Sequence, residues 1–260
     1  MKIRNIVFDM GEVLIRFTPS EFIRRLGIEG EDAALLRKEV FGRVEWVQFD
    51  RGTLNEEQTA ASVCERLPVR LHEAARELVF HWWSRPLIPI DGMEELMGEL
   101  KGLGYGIYLL SNANRRLREY LPRIPGSQYL DGLVVSAEEL LLKPQREIYQ
   151  VLYDRYGLKP EECYFIDDSP LNVEGALCTG MRGSVFDGDV ERLRRELRAA
   201  GIPVRDASAA AVSGGDARTA GPLAAEIDAE IETETGTRWE KRGRKYDKIW
   251  NRGLEGHYWG

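Results

Sequence analysis

Ile6-Val7-Phe8-Asp9-Met10-Gly11-Glu12-Val13-Leu14 is an apolar run that drives into one aspartate and then breaks at a glycine. Successive apolar residues mark a strand buried on both faces, as in a parallel sheet. A carboxylate at the end of such a strand is costly to bury without a partner. Asp9 therefore either caps the segment that follows it or belongs to a site that uses its charge.

Outward from this stretch, short β-rich runs recur at 3–8, 106–110, 133–135, 163–166 and 183–186. Helical spacings lie between them, as in Met93-Leu96-Met97-Leu100-Leu103 and Ile148-Val151-Leu152-Tyr156. Asp91, with Glu94 three residues on, predicts an N-terminal capping box for the first of these helices, and Gly102 and Gly104 close it. Alternating strands and helices predict right-handed crossovers and a Rossmann-like open parallel sheet with helices on both faces, an α/β fold.

Residues 16–85 interrupt the alternation. They are helical in pattern and rich in aromatics (Phe17, Phe22, Phe41, Trp46, Phe49, Phe80, Trp82, Trp83). This section reads as a small α-helical cap inserted after the first strand, with residues 1–15 and 86–204 forming the core domain. Much of its aromatic content is core in any arrangement. Residues 205–222 turn to Ala, Gly, Ser and Asp and read as a flexible linker. An acidic then basic-aromatic tail follows over 223–260, including Arg238-Trp239-Glu240-Lys241-Arg242.

The formal net charge of −7 argues against a nucleic-acid-binding body. Cys64, Cys163 and Cys178 are odd in number and widely spaced, which gives neither a disulfide framework nor a zinc site. No stretch is long and apolar enough to span a membrane, and Asp9 and Glu12 cut the only leader-like segment. The expected location is the cytoplasm.

The strand ends carry the chemistry. The first ends in Asp9, the second in Ser111-Asn112 and the fourth in Asp167-Asp168-Ser169, while Lys143-Pro144 lies just past the third. In an open parallel sheet these ends share one edge, and ligands bind there. Clustered Asp9, Asp167 and Asp168 would repel one another unless a cation sat among them, and oxygen-only donors favour Mg²⁺. Lys143 would help keep Asp9 ionised, and Ser111 and Asn112 would donate to phosphoryl oxygens. A carboxylate nucleophile attacking phosphorus gives an aspartyl-phosphate.

These motifs resemble those of the haloacid dehalogenase-like hydrolase superfamily over roughly residues 1–204. The first is Phe8-Asp9-Met10-Gly11-Glu12-Val13-Leu14, the second Leu109-Leu110-Ser111-Asn112, the third Lys143-Pro144. The fourth is Phe165-Ile166-Asp167-Asp168-Ser169 with Asn172, Gly175 and Ala176 following. Leu110-Ser111-Asn112-Ala113-Asn114-Arg115 and Arg51-Gly52-Thr53-Leu54 are similar to the small-cap branch that includes bacterial glucose-1-phosphate and other sugar-phosphate phosphatases. The resemblance implies Asp9 as nucleophile and Mg²⁺ ligand, the Gly11 carbonyl as a second ligand and Asp168 as a third, with Asp167 acting through metal-bound waters. It further implies phosphoryl binding by Ser111 and Asn112 and charge stabilisation by Lys143.

One position departs from that pattern. Most phosphatases of the superfamily carry a second aspartate two residues after the nucleophile, and this chain has Gly11. A cap residue or water would then supply the proton. Glu12 is a substitute, although period-two alternation would place it on the face opposite Gly11. Three alternatives stand beside the phosphatase reading. A 2-haloacid dehalogenase lacks the same aspartate but has no use for the Asp167-Asp168 pair. A phosphoglucomutase would need the missing acid. A catalytically weak binding protein would act through its tail on nucleic acid, membrane headgroups or a partner, against a tail that is a disordered extension or is tucked against the domain by its aromatics.

Overall fold

The computed structural model describes residues 2–84 and 87–206. Nearly all of the predicted linker and the whole predicted tail lie outside them. Among the described residues seven strands are formed: β1 (Asn5–Phe8), β2 (Ile15–Arg16), β3 (Ile88–Pro89), β4 (Gly106–Ser111), β5 (Gly132–Val135), β6 (Cys163–Asp167) and β7 (Arg182–Val185). Five of them build one sheet in the order β5-β4-β1-β6-β7, every pair parallel. β1 is central, and the chain order reverses between it and β6. That reversal is where an open α/β sheet leaves a crevice at the carboxyl edge.

Both faces of the sheet are covered, which explains the continuous apolar runs. Val7, Leu110, Val134 and Phe165 pack with α9 (Arg146–Tyr156) and α10 (Pro170–Leu177) on one side. Ile6, Phe8, Ile107, Leu109 and Ile166 pack with α6 (Met93–Gly102) and α11 (Val190–Ala199) on the other. The N-terminus of α6 differs from the expected capping box. Gly92, at φ 82°, occupies the cap position with no side-chain hydrogen bond. The left-handed turn there leaves Asp91 exposed and one residue too early to reach the first free N–H groups.

Between β2 and β3 the chain forms α1 (Pro19–Arg24), α2 (Gly30–Leu36), α3 (Val44–Arg51), α4 (Glu56–Glu65) and α5 (His72–His81). The helical insertion after the first strand is therefore present. β2 and β3 pair antiparallel, Ile15 with Pro89 and Arg16 with Ile88, and so bring the two ends of the insertion together. Two-residue strands have no readable periodicity, so this pair carries no signal in the sequence. Aromatics pack the insertion on itself, with the Phe17 ring 5.4 Å from Phe22, 6.0 Å from Phe41 and 5.0 Å from Trp82, and tie it to the core where Trp82 lies 5.6 Å from Tyr120. The remaining helices, α7 (Leu117–Tyr120) and α8 (Ser136–Glu139), are short and follow β4 and β5.

Candidate active site

Asp9 leaves β1 with its N–H donated to the Ile166 carbonyl at 2.9 Å, so the β1–β6 pairing runs one residue past the strand and fixes the backbone. Asp167 ends β6, fully buried, and Asp168 follows it, exposed. The carboxylates of Asp9, Asp167 and Asp168 lie within 4.8 Å of one another, an arrangement that could hold a metal ion. The donors are all oxygen, which suits a hard cation such as Mg²⁺.

Lys143 binds this cluster from below. Its ammonium lies 2.7 Å from Asp9 Oδ1 and 2.7 Å from Asp167 Oδ2, and it donates to the Leu110 carbonyl at 2.9 Å. All three of its protons are thus engaged. Burial opposes its charge, but Asp9 and Asp167 outweigh burial and its pKa lies above the ordinary lysine value. Asp167 is also filled, taking the Ser169 N–H at 2.8 Å and the Asn172 amide at 3.0 and 3.1 Å. With its oxygens so committed, Asp167 serves a cation better from behind than as a direct ligand.

Burial pushes the Asp9 carboxyl up to about 6; Lys143 draws it down and Asp167 raises it further. Burial, then the Asp167 charge, raises Asp168 as well. Both shifts arise from negative charge crowded into a poorly solvated space, which a divalent cation would relieve.

A cavity of about 210 Å³ opens over these groups, walled by Asp9, Gly11, Asn112 and Asp168 from the core and by Trp46 and Asp50 from α3. Ser111 ends β4 at 1% exposure, behind the wall. Asn112 reaches the wall, but its amide is paired with the Lys143 backbone in both directions, accepting at 2.8 Å and donating at 3.1 Å. Its visible work is to hold the Lys143 segment against β4. Gly175 serves the same segment, because a Cβ there would sit 2.8 Å from Pro144 Cβ.

Glu12 does not follow the alternation expected of a continuing strand. Its φ of 54° turns the chain, and it lines the same cavity as Gly11. Its Oε1 accepts the Phe17 N–H at 2.7 Å, which fixes the entry to the cap. Of the cap aromatics, Phe17, Trp46 and Trp82 line the cavity. Phe49 is buried in the cap core, and Trp83 stacks on Tyr120 at 5.7 Å.

Two cavity-lining residues carry no signal of their own in the sequence. Tyr120, from the end of α7, lines the cavity, and its hydroxyl has no hydrogen-bond partner among the described residues. Asp50, in the last turn of α3, lines it from the cap side. Burial raises the Asp50 carboxyl well above the ordinary range, against a hydrogen bond from Trp46, and the Asp9 charge adds to the rise. The signal was its place directly before Arg51-Gly52, which takes on meaning once α3 is docked.

The sequence matches the haloacid dehalogenase-like hydrolase family over residues 3–180. The chain belongs to that family. It is 28% identical over 159 residues to flavin mononucleotide hydrolase 1 of Arabidopsis thaliana, covering 61% of this chain and just under two thirds, 63%, of that protein. It is 28% identical over 181 residues to the sesquiterpene phosphatase astK of Aspergillus oryzae, covering 68% of this chain and 86% of the relative. A family enzyme of Bacteroides thetaiotaomicron, solved with magnesium and inorganic phosphate, superposes with a TM-score of 0.55. The identity is 24%, over 74% of this chain and 98% of that one. The haloacid dehalogenase-like fold accounts for the carboxyl edge at which the Asp9 cluster assembles.

Proposed function

We propose that this chain is a Mg²⁺-dependent phosphatase that hydrolyses a small phosphorylated metabolite, a sugar phosphate, through an aspartyl-phosphate on Asp9. The observation that carries this reading is the set of three carboxylates within 4.8 Å of one another, two of them bridged by the buried Lys143 and two of them, Asp9 and Asp168, lining a cavity. A dehalogenase needs no metal, whereas the crowding that raises Asp9 and Asp168 is the kind a divalent cation relieves. The phosphatases among the relatives, and the Bacteroides enzyme that holds magnesium and phosphate, point the same way.

In this reading Asp9 and Asp168 would hold the ion with the Gly11 carbonyl, and Asp167 would act through its waters. Bound there, Mg²⁺ would offset the crowded carboxylates and the charge of the phosphoryl oxygens. Asp9 attacks phosphorus, with Lys143 keeping it ionised and aimed. The remaining N–H of Asn112 at the wall, and Ser111 behind it, would donate to the phosphoryl group. The helical cap limits water at the reaction.

A sugar is favoured by the upper wall. Trp82 Nε1 and Tyr120 Oη are buried, line the cavity and have no hydrogen-bond partner among the described residues. Buried donors of this kind call for an acceptor, and substrate hydroxyls would supply it beside the flat faces of Phe17 and Trp46.

The test is phosphate release from a panel of hexose phosphates, flavin mononucleotide and prenyl phosphates, with and without Mg²⁺, alongside Asp9→Asn. Mg²⁺-dependent release highest on the hexose phosphates, and absent in Asp9→Asn, is expected. Release no greater than that of the variant, with chloride liberated from a 2-haloacid, would replace the phosphatase by a dehalogenase.

A further inference from the structure

Hydrolysis of a phosphate monoester must deliver a proton to the departing oxygen, and Gly11 has no side chain to carry one. The titratable side chains at the cavity wall are Asp9, Glu12, Asp50, Tyr120 and Asp168. Asp9 is the nucleophile. Asp168 belongs to the carboxylate cluster, and the proposed cation would occupy it. Glu12 already accepts the Phe17 N–H at 2.7 Å. Tyr120 holds its proton too firmly to release it, since burial and the facing Asp50 push its hydroxyl well above the ordinary range. Asp50 is what remains.

Its mounting is specific. Ser136 Oγ donates to the Asp50 carbonyl at 2.5 Å and accepts the Ala113 N–H at 2.8 Å, so one hydroxyl ties the cap helix to the loop that follows β4. Arg51 Nε donates to the Leu140 carbonyl at 3.0 Å. Gly52, at φ 79°, lies so close to Ala137 that any Cβ would collide with its carbonyl oxygen. The end of α3 is thereby pinned to α8, and the cavity is bounded by Asp9 from the sheet and Asp50 from the cap. Trp46, one turn earlier on α3, lines the cavity beside Asp50.

We infer that Asp50 is the general acid and base of the reaction, supplied by the cap in place of a side chain at position 11. The inference rests on the phosphatase reading above. In the first half, an Asp9 oxygen bonds to phosphorus as the bond from phosphorus to the substrate oxygen breaks. The electron pair stays on that oxygen, the Asp50 proton joins it, and the alcohol leaves. In the second half, the Asp50 carboxylate takes one proton from a water whose oxygen bonds to phosphorus. The bond from phosphorus to Asp9 breaks, its electron pair returns to the Asp9 carboxylate, and hydrogen phosphate departs with Asp50 protonated again.

The experiment compares Asp50→Asn with the native chain on aryl phosphates that share one shape but differ in leaving-group acidity, from 4-nitrophenyl to unsubstituted phenyl phosphate, with Mg²⁺ present. For Asp50→Asn on 4-nitrophenyl phosphate, a burst of about one nitrophenol per site at near-native rate should precede slow turnover, because nitrophenolate leaves without a proton. On phenyl phosphate the first step should fall ~10²–10⁴-fold, the usual worth of general acid catalysis. Gly11→Asp in the Asp50→Asn background should restore part of this loss. A Cβ at position 11 meets only Phe17 Cβ, at 3.8 Å, so the new side chain has room.

Equal losses on both substrates with no burst, or unchanged turnover of phenyl phosphate, would overturn the role of Asp50 alone. A native chain that turns over neither substrate, while Asp50→Asn keeps the native circular dichroism spectrum, would overturn the phosphatase reading and this inference with it.

Discussion

Lys143 places one positive charge between two buried negative ones, with 1% of its side chain exposed. Removing one partner of such a buried set leaves the others uncompensated, which typically costs about 3–5 kcal/mol. Lys143→Met should therefore lower the free energy of unfolding by about that amount in urea titrations without Mg²⁺, and should raise the Asp9 carboxyl further above about 6. A loss well under 1 kcal/mol would show that the carboxylates do not depend on the ammonium. At this scale the sequence was informative where chemistry is local. Asp9, Asp167, Asp168 and Lys143 each stand at the end of a strand or just past one, and apolar runs locate strand ends. It was uninformative where a side chain's partner lies far along the chain. Nothing near Asn112 says that its amide is taken up by the Lys143 backbone 31 residues away.

Among the elements, α3 carries the proposed general acid and was least legible. Its helical spacing is readable, but its docking depends on a Ser136 contact 86 residues away and on a glycine that fits against Ala137. Gly52→Ala should destabilise the protein by at least about 1–2 kcal/mol from the left-handed backbone alone. By displacing Asp50 it should also lower kcat more than it raises KM, as measured by denaturation and steady-state kinetics. The cap carries its own pH-sensitive joint. Glu39, 3% exposed after α2, accepts from Arg43 at 2.8 and 2.9 Å and from Arg66 at 2.8 Å. Hydrogen bonds from Arg43, then from Arg66 against the cost of burial, hold its carboxyl down from an ordinary 4.5 to about 2. A depressed acid stabilises the fold above its unfolded pKa and loses that contribution as pH falls through the folded one. The native chain should thus lose stability between pH about 4.5 and about 2 more steeply than Glu39→Gln, in thermal melts stepped across that window. Equal slopes would remove Glu39 from the account.

Over the whole molecule, the sheet gathers groups far apart in sequence at the carboxyl ends of β1, β4 and β6, and the insertion brings a cap over that edge from between β2 and β3. The sheet was readable because its central strands are buried on both faces and spaced by amphipathic helices. The closure was not, because it depends on a two-residue strand pair, on the turn at Glu12 and on aromatic contacts that spacing alone does not order. In the proposed reaction the chemistry would divide accordingly, with the nucleophile and cation site on the sheet and the proton on the cap. The central claim is that Asp9 becomes phosphorylated, and trapping that species tests it most directly. The protein should be mixed with 4-nitrophenyl phosphate and Mg²⁺, quenched in acid within milliseconds, digested and weighed by mass spectrometry. The account predicts one added phosphoryl group on the peptide that contains Asp9, none without Mg²⁺ and none in Asp9→Asn. Nitrophenol release with that peptide unmodified at every quench time, or with the phosphoryl group on another residue, would contradict it.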